Sequence, residues 1–304
     1  MKLAPIAVLV ALGCVWGTSF LFIKVIVDEI APLELVTARM FFGACVMTLF
    51  VIANRSAIPR RPWFWAQVAV FALFSNVVPF ALIAWAEQHI DSGVTSVLNS
   101  TMPLFTALFA AAVLAEEEFT AGRIAGLMAG LAGVAVLAGR DIVHLTDSGV
   151  AGQLAVVGAA ACYGAMAVFA RTLLRTNDPV TLTSLQLAVG TVIALLITIP
   201  VEGVPDYGAL GLKAWGALLL LGLVGSGVAQ WVYLWLVDNI GSVRSSLVTY
   251  IIPIMGLLLG WLVLDEHIGP SVIVGFLLIL TGVAAALRGQ APSSERTAIA
   301  PEAV

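Results

Sequence analysis

Residues Trp85 to Pro103 read WAEQHIDSGVTSVLNSTMP, and residues Trp235 to Pro253 read WLVDNIGSVRSSLVTYIIP. Each stretch opens on tryptophan, crosses a short polar segment, re-enters apolar sequence and meets a proline. Each then leads to an acidic cluster, Glu116-Glu117 in the first case and Asp265-Glu266 in the second. The match continues on both sides. Upstream, Pro32, Arg39 and Gly43 answer to Pro179, Gln186 and Gly190; downstream, Gly126 and Gly133 answer to Gly275 and Gly282. A period of about half the chain is far too long for a solenoid repeat and fits the two halves of a membrane carrier.

Composition points the same way. The sequence is 61% hydrophobic and only 11% charged, with a mean hydropathy of +1.06, which excludes an ordinary soluble domain. Cutting the apolar stretches at charged residues, prolines and glycines places spans near 4–24, 33–53, 64–85, 93–114, 121–139, 150–172, 180–200, 214–236, 243–263 and 270–288. Each is long enough to cross roughly 30 Å of hydrocarbon as a helix. Five spans per half is an odd number, so the second half must enter the membrane upside down. The expected fold is an all-α membrane protein of ten transmembrane helices arranged as two inverted five-helix repeats. The repeats are residues 1–145 and 146–288, followed by a disordered cytoplasmic tail over 289–304.

The basic residues orient the chain. With the N-terminus inside, the cytoplasmic segments carry Lys2, Arg55, Arg60, Arg61, Arg123, Arg171, Arg175, Arg244, Arg288 and Arg296, against Lys24, Arg140 and Lys213 outside. This bias predicts a multi-pass inner-membrane protein with both termini cytoplasmic. The first span follows Lys2 but lacks an A-x-A cleavage site and belongs to the repeated unit, so it is expected to be retained. Cys14, Cys45 and Cys162 fall within spans and are expected as small buried apolar residues, with no disulfide framework, metal or cofactor. The net charge of -4 is spread over short loops. The expected partners are a small-molecule substrate and the lipid bilayer, not nucleic acid; the oligomeric state, a monomer included, is left open.

Three features together, Trp16-Gly17-Thr18-Ser19-Phe20, the Pro32 to Arg39 stretch PLELVTAR, and the two apolar-proline-acidic segments, resemble the EamA-type branch of the drug/metabolite transporter superfamily. The resemblance runs from about residue 5 to residue 288. It implies ten helices, a substrate cavity between two five-helix halves, and export or exchange of small metabolites, often amino acids.

Within this frame a few residues carry candidate chemistry. Pro103 and Pro253 sit near the centres of spans four and nine, where a proline frees the carbonyl four residues earlier, here those of Asn99 and Thr249. Those carbonyls either face a cavity or merely shape helix packing. Arg39 is the only charged residue placed well inside a span. It could greet a substrate carboxylate, or it could pair with Glu34, Glu87 or Asp91 or bond helix carbonyls. Aromatic and amide residues complete a plausible cavity. Trp16, Asn76 and Phe80, with Phe20 and Trp85, meet Tyr163, Gln230 and Tyr250, with Trp231, Tyr233 and Trp235. For Trp85 and Trp235 an interfacial belt is an equal alternative to a gate, whereas Trp63, Trp65 and Trp215 read as belt residues.

Small residues recur every four positions, as in Ser92, Ser96 and Ser100, in Gly241, Ser245 and Thr249, and in Gly122, Gly126 and Gly130. They read chiefly as surfaces of close helix packing. Glu116, Glu117 and Glu118, like Asp265 and Glu266, are expected to stabilise the N-terminus of the helix that follows, with a gate as the lesser alternative. No Asp, Glu or His appears at mid-depth, and His89, His144 and His267 fall in outer loops, so diffusion or exchange needs fewer assumptions than proton antiport. Glu87 and His89, near a span end, are the residues that could still couple. No metalloprotease motif, nucleophile elbow or phosphate loop is present, so neither an enzyme nor an ATP-driven pump is expected. The expected function is secondary transport of small metabolites by alternating access, with amino acids or related compounds the favoured exported cargo; the alternatives are broad drug export and, from a different class, a membrane-embedded receptor or enzyme.

Overall fold

The computed structural model describes residues 3–56, 58–113, 121–138, 148–208 and 210–288. Glu116, Glu117, Glu118, Lys2, Arg140, His144, Arg296 and the tail from 289 lie outside the described residues. Among those described, every regular element is a helix. The first half holds α1 (Leu3–Val27), α2 (Pro32–Asn54), α3 (Pro62–Ala72), α4 (Val78–Glu87), α5 (Ser92–Asn99), α6 (Met102–Val113) and α7 (Ala121–Ala138). The second holds α8 (Ser148–Leu173), α9 (Pro179–Glu202), α10 (Leu212–Leu220), α11 (Ala229–Ile240), α12 (Ser242–Ser246), α13 (Ile252–Leu264) and α14 (Pro270–Arg288).

The starts and stops follow from local chemistry. Pro32, Pro62, Pro179 and Pro270 each open a helix, where a fixed φ helps and a missing N–H costs nothing. The Asp178 carboxylate accepts from the Thr181 amide to start α9. Gly241, at φ +84°, turns the chain between α11 and α12.

Eight helical stretches are long and apolar enough to cross a membrane, among them Ile6–Val27, Pro32–Asn54, Pro62–Glu87 and Ser92–Val113 of the first half. Shorter apolar helices, Ile124–Leu137 and Pro270–Gly282, occupy the places expected for spans five and ten. Leu49, Ile52, Leu196 and Val201 are exposed, as on a surface solvated by hydrocarbon. All three cysteines are free; Cys14 and Cys162 are half-buried and Cys45 is exposed, so the expectation of buried residues holds in part for the first two and fails at Cys45, whose face of α2 turns outward.

Two helix pairs organise the bundle, and both run antiparallel. On α2 and α9, the Thr37 and Thr198 hydroxyls bond at 2.9 Å near one end and those of Thr48 and Ser184 at 3.3 Å further along. On α7 and α14 the contact is backbone against backbone. A Cβ at Gly133 would stand 2.8 Å from the Gly275 carbonyl oxygen, and one at Gly282 would stand 2.5 Å from that of Gly126. These are the glycines that correspond in the repeated sequence, and only hydrogen fits between them. The serine stripe of α5 is likewise a packing surface: a Cβ at Gly256 on α13 would meet the Ser96 side chain at 2.3 Å.

Spans three and eight are not uniform α-helices. Each widens into a π-helical segment, Leu73–Val77 and Leu221–Val228. In the first, Pro79 cannot donate to the Ser75 carbonyl, so the register slips by one residue. In the second, four residues of small volume in LGLVGSGV let α2 pack close: a Cβ at Gly222 would be 2.7 Å from Phe42 Cβ, and one at Gly227 would be 2.5 Å from Val46 Cγ1.

Candidate functional site

Spans four and nine break at their prolines. α5 ends at Asn99 and α6 restarts at Met102; in the second half α12 passes through a 3-10 turn, Leu247–Tyr250, before α13 begins at Ile252. At each break a side-chain hydroxyl adds a donor to a main-chain carbonyl. Thr101 donates to the Leu98 carbonyl at 2.8 Å, and Thr249 to the Ser246 carbonyl at 2.8 Å. Polar residues beside the prolines thus let the helix open without stranding its backbone in an apolar medium.

The two breaks and the first π segment, through Ser75, border a cavity with about 780 Å³ of empty space, part of it open to solvent. Trp16, Ser19, Phe20 and Ile23 of α1 form one wall, and Tyr163, Met166, Ala167 and Ala170 of α8 another. Asn99 and Met102 close it at the first break, Thr249 and Ile252 at the second, with Gln230, Tyr233 and Leu234 of α11 between them. Phe71, Ser75, Phe80 and Ile83 complete the lining, and Arg39 reaches it from α2.

Arg39 is the cation of this cavity, 5% exposed. Its guanidinium carbon lies 3.6 Å from the centre of the Phe80 ring, and its Nε donates to Ser226 Oγ at 2.9 Å. The ring face balances the charge electrostatically, and the π segment presents the acceptor. Neither terminal nitrogen has a partner among the described residues, and Arg39 makes no ion pair with Glu34, Glu87 or Asp91. Behind Phe80 stands Tyr163, ring centres 6.5 Å apart. Trp16 Nε1 donates to the Gly225 carbonyl of the π segment at 3.0 Å, and its ring lies 5.2 Å from that of Tyr233.

Two polar groups of the lining are both buried and unpaired. Asn99 Oδ1 and the Tyr233 hydroxyl are buried and have no hydrogen-bond partner among the described residues. Such groups cost free energy unless something in the cavity, water or ligand, meets them.

Of the residues expected from sequence, Trp16, Arg39, Phe80, Asn99, Tyr163, Gln230 and Thr249 line this cavity. Asn76, Pro103, Tyr250 and Pro253 do not. The Asn76 side chain accepts from Ser75 Oγ at 2.7 Å and is sealed. Pro103 and Pro253 are buried in the first turns of α6 and α13, so they set the breaks while Met102 and Ile252 face the space. Tyr250 packs against the cluster of Val97, Leu104, Val272 and Ile279. Ser19, Ser75 and Ser226 were not anticipated; Ser226 sits in a glycine-rich run whose sequence signals packing alone. Trp85 and Trp235 are 37% exposed and lie off the cavity.

One end of the bundle is acidic, and carboxylates there bridge the halves. Glu266 accepts from the Ser92 and Gly93 amides at 2.7 and 2.9 Å, Glu202 from the Leu33 and Glu34 amides at 3.1 and 3.0 Å, and Glu29 from the Gly211 amide at 2.7 Å. Glu266 therefore caps α5 across the bundle rather than α14, which follows it in sequence. Tyr207 donates to the Glu34 carbonyl at 3.1 Å. Burial first, then the Glu34 and Glu202 carboxylates, push this phenol up to about 12, so it keeps its proton. Among the described residues no group of His, Cys, Asp and Glu is arranged to hold a metal.

The sequence profile described as the EamA-like transporter family matches residues 4–139 and again 150–288. The chain is similar to "Uncharacterized transporter YoaV" of Bacillus subtilis, 27% identical over 90% of this chain and 94% of that one. It is also similar to "Protein PecM" of Dickeya dadantii, 24% identical over 89% and 88%. A solved crystal structure, 21% identical, covers 95% of this chain and 99% of its own with a TM-score of 0.68, a likeness of fold.

Proposed function

We propose that this chain, which belongs to the EamA-like transporter family, exports amino acids or related small metabolites across the inner membrane by alternating access. The two halves, residues 1–145 and 146–288, are read as inverted five-helix repeats with ten spans in all and cytoplasmic termini. Support for inversion comes from the repeat-related helices: α2 lies antiparallel to α9 and α7 to α14, as a two-fold axis in the membrane plane requires.

The observation that carries the cargo reading is Arg39. A guanidinium with two unbonded terminal nitrogens in an apolar, aromatic cavity suits a single carboxylate on an apolar body. Asn99 Oδ1 accepts, and the Tyr233 hydroxyl can donate or accept, so an amino group has a place as well. A bis-anionic phosphate ester would need more cations than this lining offers. Equilibrium binding by intrinsic tryptophan fluorescence tests the assignment by comparing an aromatic amino acid with its amide, which lacks the carboxylate. The amide is expected to bind at least tenfold more weakly, since a charge-assisted hydrogen bond contributes about 1.5–3 kcal/mol. Equal binding would favour the second reading that the apolar lining supports, broad export of drug-like compounds.

A further inference from the structure

Glu87 ends α4 at the acidic end of the bundle and is 0% exposed. Neither of its carboxylate oxygens has a hydrogen-bond partner among the described residues. The nearest cation is committed elsewhere, because the Lys24 ammonium donates to the main-chain carbonyls of Glu87 and, at 3.3 Å, of Ile90. The other charged neighbours are committed too. Arg39 of α2 lies over Phe80 and bonds Ser226, while Glu266, in the turn after α13, is held by the α5 amides.

The charged groups that act on Glu87 are Lys24, Glu266 and Arg39, with Asp91 four residues further along its own segment; α8, packed on α4, brings the Tyr163 phenol to Phe80 rather than to Glu87. On its own segment His89 turns back to the Trp85 carbonyl at 2.8 Å. An anion in this setting has no donor to replace its water, a cost of several kcal/mol. A neutral carboxylic acid leaves only ordinary polar atoms unpaired, about 1–3 kcal/mol.

We propose that Glu87, sealed behind the Lys24-capped end of α4, is a proton-binding site that takes up and releases one proton in each transport cycle. With the acidic end closed, the group is the acid. When that end opens, the carboxyl O–H breaks, the proton passes to water, and the resulting carboxylate is solvated beside Lys24. When the bundle next opens at the opposite end, the carboxylate takes a proton from the water on that side, so one proton crosses in each cycle and no other reactant is required. Transport is then driven by a proton gradient, an inference that rests on the carrier reading.

Two measurements separate the two claims. Infrared difference spectroscopy of the purified protein in lipid nanodiscs reads the proton without a substrate. At neutral pH a protonated-carboxyl band is expected that shifts in D2O, is lost in Glu87→Gln and is retained, displaced, in Glu87→Asp. A band-free wild-type spectrum, or one that Glu87→Gln leaves unchanged, would overturn the proposal. In proteoliposomes, a pH gradient is expected to accelerate exchange of labelled phenylalanine at least tenfold in the wild type. Glu87→Gln is expected to keep gradient-free exchange and lose the acceleration. Gradient-independent wild-type exchange would overturn the proton site alone. No exchange at all, with the infrared band present, would overturn the amino-acid carrier and leave the proton site standing.

Discussion

The Arg39 guanidinium carbon lies 3.6 Å above the ring centre of Phe80, and this pairing fixes how a charge is kept in an apolar bundle. A flat cation on a ring face needs no carboxylate partner, and Ser226 on the π segment holds its Nε. The terminal nitrogens are left without a partner among the described residues, and Arg39 lines the cavity. Charge, ring and π segment come from three different spans, so any motion of α2 against the second half changes what Arg39 can hold.

Arg39→Ala is expected to slow transport of carboxylate-bearing substrates by roughly 10- to 100-fold, the loss of about 1.5–3 kcal/mol, with folded yield preserved. Arg39→Lys should recover little, because an ammonium lacks the planar fork. Matched uptake assays with a carboxylate and its amide check this. Equal loss for both, or loss of folded protein, would assign Arg39 a structural role instead.

Trp16→Phe removes the donor to the Gly225 carbonyl, a hydrogen bond between the two halves whose loss costs about 0.5–1.5 kcal/mol. A lowered melting temperature in detergent is the expected result. Trp235→Phe, at a residue 37% exposed, serves as the control and should melt with the wild type.

Gly133→Ala would force its Cβ to 2.8 Å from the Gly275 carbonyl oxygen, and separating α7 from α14 should cost about 1–3 kcal/mol. Gly216→Ala, in α10 with nothing within 4 Å of its Cβ, should be neutral or stabilising by less than about 1 kcal/mol. Parallel thermal unfolding distinguishes them, and equal behaviour would refute close backbone packing.

Much of the fold was legible because length and apolarity decide a membrane helix, and the repeat of tryptophan, proline and glycine marked corresponding helices. Arg39, Asn99 and Thr249 were readable as cavity residues since polar groups within apolar runs need a reason to be there. The π segments were not, because they are a shift in hydrogen-bond register that leaves composition unchanged; Ser226 went unnoticed with them. Asn76 and Tyr250 illustrate the opposite limit, since an amide or phenol in an apolar helix looks the same whether it faces a cavity or a neighbouring helix. Glu266 was matched to the helix beside it in sequence, whereas its partners, Ser92 and Gly93, are brought to it only by the tertiary fold.

Asp91 supplies a pH test outside the spans. Burial first, then Glu266, raise its carboxyl above the ordinary aspartate value of 3.8, with Lys24 opposing. The folded protein thus holds this proton more firmly than the unfolded chain. The stabilisation is complete below about pH 4 and is lost as the pH rises through the raised folded value. Asp91→Asn should therefore melt above the wild type at neutral pH and converge with it in acid; a constant difference across that window would contradict the assignment.

Counterflow in proteoliposomes tests the central claim most directly. Vesicles are loaded with a panel of unlabelled amino acids, and uptake of a labelled aromatic amino acid is followed without any imposed gradient. The account predicts transient accumulation of label that depends on the internal amino acid and is weakened by Arg39→Ala. Label that never rises above its equilibrium level for any member of the panel would contradict an amino-acid carrier.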